Sequence, residues 1–177
     1  VSPSSGVTAG GTSVTITGTN FTGATAVSFG GTAAASYTVD SATQITAVTP
    51  AKSAGAADVV VTTAGGSATS TGGYTYVASP TIGSVSPSSG VTAGGTSVTI
   101  TGTNLDSATS VTFGGTAGTI TANSSTSITV TSPAKSAGAV DVVVTTAGGS
   151  ATSTGGYTYV ASPTISSVSP SSGVTAG

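Results

Sequence analysis

The chain has very little charge and lacks several residue types altogether. Its 177 residues include two lysines, four acidic residues and no histidine, cysteine, tryptophan or methionine, and only 3% are charged. A typical soluble domain carries roughly 25% charged residues. Because cysteine and histidine are missing, a zinc finger, a Cys–His nucleophile and a Ser-His-Asp triad are all excluded.

The scarcity of charge also excludes several classes of partner. Four carboxylates are too few for a carboxylate-rich calcium cage in each part of the chain. Lys52 and Lys135 are the only basic residues, and two cations cannot form the positive stripe that holds nucleic acid. No apolar run approaches the 18 residues of a membrane-spanning helix. We therefore expect no enzymatic activity, no cofactor, no nucleic acid and no membrane span in this segment.

Small and β-branched residues take the place of charged ones. The chain contains 38 threonines, 31 serines and 27 glycines, and its hydrophobic residues make up 36%. Disordered chains combine low hydrophobicity with high net charge, whereas this chain has a mean hydropathy of +0.38 and a net charge of −2. The composition therefore predicts a folded chain.

The sequence repeats itself. The decapeptide VSPSSGVTAG at 1–10 returns at 85–94 and at 168–177, and the stretch 51–82 matches 134–165 at every position but one. A period of about 83 residues is too long for a solenoid unit and fits an independent small domain. The identity extends to serines and threonines that must face solvent, which indicates recent duplication within a longer array.

The repeats define the expected domain organisation. We expect a first domain over 1–77 that lacks its opening strand segment, a complete second domain over 78–160, and the opening strand of a third repeat over 161–177. Because Val1 lies inside a repeat, no signal peptide begins there, and we expect the chain to be a piece of a larger protein.

Short apolar–polar alternations, bounded by glycine, proline or asparagine, predict strands throughout. No apolar period of 3.6 residues is visible, and threonine, valine, serine and glycine are poor helix formers. About seven short strands per repeat, with turns every 8–12 residues, predict an all-β fold of tandem β-sandwiches. The clearest strands in the second repeat are Thr96–Thr101, Ser110–Phe113, Ser127–Thr131 and Val140–Thr145.

Five segments, in order, resemble the IPT/TIG immunoglobulin-like domain. They are the opening PTIGSVSPSSG, the strand GGTSVTITGTN, the hairpin VTFGG, the stretch SITVTSPAKSAGAVDVVVTTAGG and the closing YTYV. The resemblance implies an early-set immunoglobulin-like sandwich. Such domains occur in tandem on bacterial secreted and surface proteins, as accessory modules of polysaccharide-degrading enzymes, and in animal receptors and transcription factors. The basic DNA-contacting loops of the transcription factors are not present here.

Each repeat carries one lysine followed six residues later by an aspartate, Lys52 with Asp58 and Lys135 with Asp141. One interpretation is an intramolecular Lys–Asn isopeptide bond, with the aspartate as the buried acid. The other is an ion pair beside a hairpin loop, which would contribute about 0–1 kcal/mol. The candidate asparagines for the cross-link are Asn20 and Asn104.

The tyrosine pairs of the closing strands have two interpretations as well. Tyr74 with Tyr76, and Tyr157 with Tyr159, alternate so that both rings of a pair lie on one face. That placement favours packing in the core or between domains. Stacking on sugars is the alternative.

The segments between domains are very short. The closing YTYV is followed almost at once by Pro80 or Pro163, and a proline-containing junction of two or three residues is stiff. We therefore expect a semi-rigid rod. The chain also has a spare opening strand at one end and lacks one at the other, which suggests either strand exchange between neighbouring chains or an arbitrary window on a continuous polypeptide.

The expected function is a non-enzymatic structural one: an extracellular stalk, fibre or filament on a bacterial surface. Its partners would be further copies of the repeat in cis and, through self-association, other chains. The alternative is an adhesin, or a carbohydrate-binding or spacer module of a larger secreted enzyme or phage tail protein, with a glycan or cell-surface ligand. A groove in the divergent regions 21–50 and 105–133 would favour that alternative.

Overall fold

Every regular element is a strand in the part of the chain that the computed structural model describes, residues 1–173 and 175. β-Branched threonine and valine suit the pleated, half-buried surface of a sheet. Glycine pairs supply the turns: Gly30 and Gly31 have φ of 54° and 79°, and both central residues of a type I′ hairpin need a positive φ. The predicted all-β fold is confirmed.

The first repeat, residues 1–77, contains eight strands. They are β1 Ser5–Val7, β2 Ser13–Thr17, β3 Ala26–Phe29, β4 Thr32–Ala33, β5 Ser36–Ser41, β6 Gln44–Val48, β7 Gly55–Thr63 and β8 Gly66–Val77. They form two sheets, in the orders β1-β8-β7-β3-β4 and β2-β6-β5. All neighbours are antiparallel except β1 and β8, which are parallel.

The second repeat, from residue 78 to 160, contains nine strands. They are β9 Thr81–Ser86, β10 Ser89–Val91, β11 Ser97–Thr103, β12 Ser110–Phe113, β13 Thr116–Ala117, β14 Thr119–Asn123, β15 Ser127–Thr131, β16 Gly138–Thr146 and β17 Gly149–Val160. Its sheets have the orders β10-β17-β16-β12-β13 and β14-β15-β11-β9. The strand count exceeds the expected seven because segments of two or three residues, such as β4 and β10, also pair.

Each repeat has its own core between its two sheets. Buried positions alternate with more exposed ones in the strands that line the core, as in β11, where Val98 and Ile100 are fully buried. The closing strands β8 and β17 contribute the largest buried side chains, which are tyrosines. Two separate hydrophobic clusters result, one for each repeat.

The repeats differ at one sheet edge. In the second repeat β9 pairs with β11 from Thr81 to Ser86. In the first repeat the corresponding edge, along β2, is met only by an isolated bridge between Ser2 and Thr15. No helix in the described residues is long and apolar enough to cross a lipid bilayer.

Candidate functional site at the repeat junction

The connection between the repeats is short and held by a specific contact. Only residues 78–80 separate the end of β8 from the start of β9. The Asn104 side chain donates a hydrogen bond from Nδ2 to the carbonyl oxygen of Ser79, at 2.9 Å. Asn104 has a φ of 54°, a left-handed conformation that asparagine tolerates better than most residues. The link is therefore fixed by side-chain bonding as well as by its length.

The turn between β16 and β17, Thr146–Gly149, packs against this link, and we call it the junction hairpin. Thr146 is only 7% exposed and Gly148 is buried. A Cβ atom at Gly148 would meet the carbonyl oxygen of Ala78, so only glycine fits there. A Cβ atom at Gly149 would lie 3.7 Å from Cγ1 of Val7. The end of the first repeat thus seats the junction hairpin of the second.

The identical turn of the first repeat, Thr63–Gly66, makes no such contacts. Gly65 and Gly66 are exposed, and a Cβ atom at Gly66 would meet nothing within 4 Å. Because the two turns share one sequence, the burial of the junction hairpin is a property of the junction and not of the turn itself.

A cavity of about 410 Å³ lies at the junction. It is lined by main chain and small side chains, with Asp106 as its one charged group, and Asn104, Tyr76 and Val77 on its walls. Among residues 1–173 and 175, no three His, Cys, Asp or Glu side chains gather where they could hold a metal ion. The arrangement holds the two repeats together.

The tyrosine pairs are core residues. Tyr74, Tyr76, Tyr157 and Tyr159 are at most 1% exposed. Within each pair the rings meet edge to face, with centroids 5.0 Å apart, an arrangement that stabilises aromatic pairs. The core placement expected from their alternation is confirmed, and sugar stacking on these rings is wrong because no ring face reaches the surface.

Burial also affects the ionisation of two of these phenols. Desolvation, followed by the neighbouring tyrosine of the pair, raises the pKa of Tyr76 and of Tyr159 above the usual 10.0. A polar contact with Thr49 offsets part of the rise in the pKa of Tyr76, although its geometry falls short of a hydrogen bond. The Tyr159 hydroxyl donates to the carbonyl oxygen of Pro133 at 2.8 Å.

The two lysines brace the β-hairpins β3–β4 and β12–β13, which lie away from the turns Thr63–Gly66 and Thr146–Gly149. Lys52 donates from Nζ to the carbonyl oxygen of Gly30 at 2.9 Å, and Lys135 donates to Gly114 at 3.0 Å. The Lys135 ammonium also lies 3.2 Å from the Thr116 hydroxyl. The ammonium therefore supports a tight turn whose glycines have positive φ.

The two aspartates hold a bulge in the closing strand. Asp58 accepts a hydrogen bond from the Gly72 amide at 2.7 Å, and Asp141 accepts one from Gly155 at 2.8 Å. The pairing of β7 with β8 shifts register at this place, between Ala57 and Val59. Both carboxylates thus bond to main-chain amides. An ion pair between the lysine and the aspartate of each repeat stays a prediction.

The structure does not bring Lys52 and Asn20 together. Lys52 lies beside Gly30, whose amide bonds to the Asp58 carbonyl, whereas Asn20 borders a cavity with Thr63. An extended strand rises about 3.3 Å per residue, so residues 58 to 63 of β7 separate the two by about 17 Å. The isopeptide cross-link stays a prediction, and loss of one ammonia per repeat in the intact mass is its test.

The residues that form the junction cannot be recognised from the sequence patterns. Those patterns indicate Asn104 only as a candidate cross-linking partner, and the glycines of the junction hairpin only as turn formers. The available signal is the position of Asn104, which directly follows a strand, precedes Leu105 and lies close to the proline-containing link. Its partner Ser79 carries no signal, because the contact uses the main chain.

Comparison with known proteins identifies the domain type. The family model described as the IPT/TIG domain matches residues 1–77 and 80–160. No curated protein matches the chain.

Among solved structures, the full extracellular region of Plexin A4, domains 1 to 10, is similar over 96% of this chain and 16% of its own length, with 28% identity and a TM-score of 0.53. SGBP-B from a complex xyloglucan utilization locus in Bacteroides uniformis is 27% identical, covering 89% of this chain and 47% of that protein, with a TM-score of 0.42. The surface glycan-binding protein PbSGBP-B from Prevotella bryantii is 21% identical, covering 84% and 36%, with a TM-score of 0.38. The chain spans less than half the length of each of these proteins.

Proposed function

Because the chain belongs to the IPT/TIG domain family, we propose that it is a non-enzymatic structural protein whose tandem sandwiches form an extracellular stalk, fibre or filament on a bacterial surface. The observation that supports this most directly is the junction between the repeats. The junction hairpin and Asn104 hold the short link 78–80 in place. Because such a link fixes the relative orientation of successive domains, an array of them is long and keeps its direction.

The dimensions and composition suit an exposed rod. The closing strand β8 has 12 residues, which corresponds to about 40 Å of extended chain, so each repeat adds a substantial length. The chain has only two lysines and no arginine, which leaves trypsin-like proteases few places to cut. Its low charge leaves little electrostatic repulsion between neighbouring surfaces.

Electron microscopy of bacteria that express the full protein tests the proposal. An antibody against this chain should label continuous surface fibres with an axial repeat close to the length of one domain. The same antibody on cells that lack the gene provides the control. Label confined to the cell interior, or to compact particles without an axial repeat, would count decisively against a stalk or filament.

The stiffness of the junction has its own test. Gly148→Ala is expected to shift the relative orientation of the two repeats and increase its spread, because the added methyl group meets the Ala78 carbonyl. Gly65→Ala is the matched control, since a Cβ atom there lies 3.6 Å from its nearest neighbour, Thr63 Oγ1. Residual dipolar couplings on dilute protein measure the effect, and equal couplings in both variants would contradict the proposed clamp.

The second candidate function is an adhesin, or a carbohydrate-binding or spacer module of a larger secreted enzyme or phage tail protein. Sugar binding commonly uses exposed aromatic rings, and Tyr37 is the only aromatic side chain in this chain that is not buried. A glycan array distinguishes the two functions. Binding of a defined glycan that Tyr37→Ala abolishes would favour the second.

A further inference from the structure

In both repeats the closing strand has a second partner, which runs parallel to it near its end. In the second repeat β10 pairs with β17, so that Ser89 lies opposite Thr158 and Val91 lies opposite Val160. The first repeat has the same pairing between β1 and β8. Among the described residues, every other pair of strands is antiparallel. We call the contact of residues 88–92 with residues 158–160 the shear patch.

Hydrogen bonds continue the shear patch beyond both ends of β10. The Thr158 amide donates to the carbonyl oxygen of Ser88 at 2.9 Å, and the Thr92 amide donates to that of Val160 at 3.1 Å. The Thr92 carbonyl oxygen in turn accepts a hydrogen bond from the Lys135 amide at 2.9 Å. The residue that ends the shear patch is therefore bonded to two separate segments.

A tyrosine closes the inner side of the shear patch. Tyr157 is fully buried, and a Cβ atom at Gly90 would meet its hydroxyl group, so a glycine is needed where the ring lies against β10. Tyr74 and Gly6 have the same relation in the first repeat. Neither hydroxyl has a hydrogen-bond partner, so the ring covers the shear patch without bonding to it. Hydrogen bonds that are shielded from water are electrostatically stronger.

The shear patch lies on the path that tension takes through the second repeat. The chain enters by the link 78–80, beside the start of β17, since a Cβ atom at Gly148 would meet the Ala78 carbonyl oxygen. It leaves after Val160, the last residue of β17. The 12 residues of that strand span about 40 Å. Tension between the entry and the exit therefore acts along β17.

Tension draws the two strands of the shear patch in opposite directions. β10 is pulled back through Ser88 toward the link, whereas β17 is pulled forward through Val160. Because the strands are parallel, one must slide past the other, which loads all the hydrogen bonds of the patch at once. β9 is loaded in the same way against β11, but that ladder is interrupted by a register shift between Thr101 and Gly102.

We propose that the shear patch is a mechanical clamp, which keeps each repeat folded while the repeat carries tension along the chain. This inference deepens the proposed function and rests on it for the source of tension, since a surface stalk is stretched whenever its outer end is held. The first repeat has the same clamp between β1 and β8. Two repeats in series therefore bear the same load.

Single-molecule force spectroscopy at constant force tests the clamp, because forced unfolding reports the unfolding rate. The chain has no cysteine, so introduced cysteines provide defined attachment points. Ser79→Cys with Ala161→Cys pulls the second repeat end to end, at two exposed positions. Ser136→Cys with Ala161→Cys instead places both handles at one end of the β16–β17 ladder, which then peels apart.

We expect the second repeat to resist end-to-end pulling far better than peeling. At the same force its lifetime should be at least about tenfold longer end to end, because several hydrogen bonds must then break together and not in turn. A lengthening of about 250 Å identifies complete unfolding in the first geometry, and one of up to about 90 Å identifies peeling in the second. Equal lifetimes in the two directions would overturn the proposal.

One substitution removes a single bond of the shear patch. The Gly94 amide donates to the Val91 carbonyl oxygen at 3.0 Å, so Thr92 is the second residue of a β-turn, a position that suits proline. Thr92→Pro therefore keeps the turn and loses the amide that donates to Val160. Under end-to-end force it should unfold about fivefold faster than Thr92→Ala, which keeps that amide. Equal rates in these two variants would contradict the clamp.

A substitution away from the shear patch separates mechanical from equilibrium stability. Ile128→Val shortens a fully buried side chain of β15 and lowers the free energy of unfolding, which urea denaturation measures. Because β15 stays packed until the shear patch breaks, the lifetime under end-to-end force should change less than about twofold. Lifetimes that follow equilibrium stability across all the variants would show that the patch has no special role.

The clamp and the stalk are tested by separate measurements. Resistance of the 177-residue protein to end-to-end pulling, together with an absence of fibres on cells, would contradict the proposed function and leave the clamp in place. Fibres on cells, together with equal lifetimes in the two pulling directions, would support the function and contradict the clamp.

Discussion

At the scale of single residues, the tyrosines of the closing strands look alike in sequence but differ in the hydrogen bonding of their hydroxyl groups. The hydroxyls of Tyr74, Tyr76 and Tyr157 are buried without a hydrogen-bond partner, whereas that of Tyr159 donates to Pro133. A buried polar group without a partner costs free energy, and a satisfied one contributes about 1 kcal/mol. Equal tyrosines therefore have unequal effects on stability.

Tyr157→Phe and Tyr159→Phe form a matched pair for this point. We expect Tyr157→Phe to leave the free energy of unfolding unchanged or to raise it, because it removes an unpaired hydroxyl. Tyr159→Phe should lower it by about 1 kcal/mol, since the Pro133 carbonyl loses its donor. Urea denaturation followed by tyrosine fluorescence measures both, and an equal loss in the two variants would contradict the assignment.

The raised pKa of Tyr76 and Tyr159 predicts a loss of stability at alkaline pH. Unfolded tyrosines ionise near 10.0, whereas the folded chain keeps these two protonated to higher pH. Between those values the folded state binds more protons, so the free energy of unfolding falls as pH rises. It should be flat from about pH 7 to 9 and decline above about pH 10. Denaturation at a series of pH values checks this, and a decline that begins below pH 8 would not fit.

At the scale of strands, the bulge that Asp141 holds is where β16 and β17 change register. The two strands pair regularly on both sides of the shift between Val140 and Val142. The Asp141 carboxylate fixes the main chain at Gly155, which has a φ of 60°. One aspartate thus lets a twelve-residue strand turn its tyrosines into the core.

Asp141→Ala should therefore destabilise the second repeat by about 1 kcal/mol, the value of a solvent-exposed hydrogen bond to the main chain. Asp40→Ala is the comparison, because Asp40 bonds only to the exposed side chains of Gln44 and Thr46 and should matter less. Thermal unfolding of each variant measures the difference. An equal midpoint of thermal unfolding in the two variants would contradict the special role of the bulge.

At the scale of the whole molecule, the junction between the repeats depends little on charge. Only six residues are charged, and Asp106 is the one charged residue that lines the junction cavity. The link 78–80 is held by the hydrogen bond from Asn104 to Ser79 and by packing of the junction hairpin, contacts that salt screens weakly.

The relative orientation of the two repeats should accordingly stay the same between about 0.05 and 0.5 M sodium chloride, a range in which screening of exposed charges changes greatly. Residual dipolar couplings at the two salt concentrations measure it. A change of orientation with salt would show that charged groups, and not these contacts, fix the junction.

The repeats, the strands and most of the core followed from residue patterns alone. Alternation placed Val98, Ile100, Tyr157 and Tyr159 inward, because successive side chains of a strand point to opposite faces. The resemblance carried by PTIGSVSPSSG and YTYV identified the domain type, and the family match over both repeats confirms it.

Only the tertiary structure decided what identical segments do. The turn AGGS is exposed at 64–67 and packed at the junction at 147–150, and the dipeptide Thr-Ile opens strand β9 at 81–82 but belongs to no strand at 164–165. Sequence periodicity is local, whereas these differences depend on which surface lies within reach of each copy. The hydrogen bond from Asn104 to Ser79 has the same cause, since two chain segments must first be folded side by side before one can bond to the other.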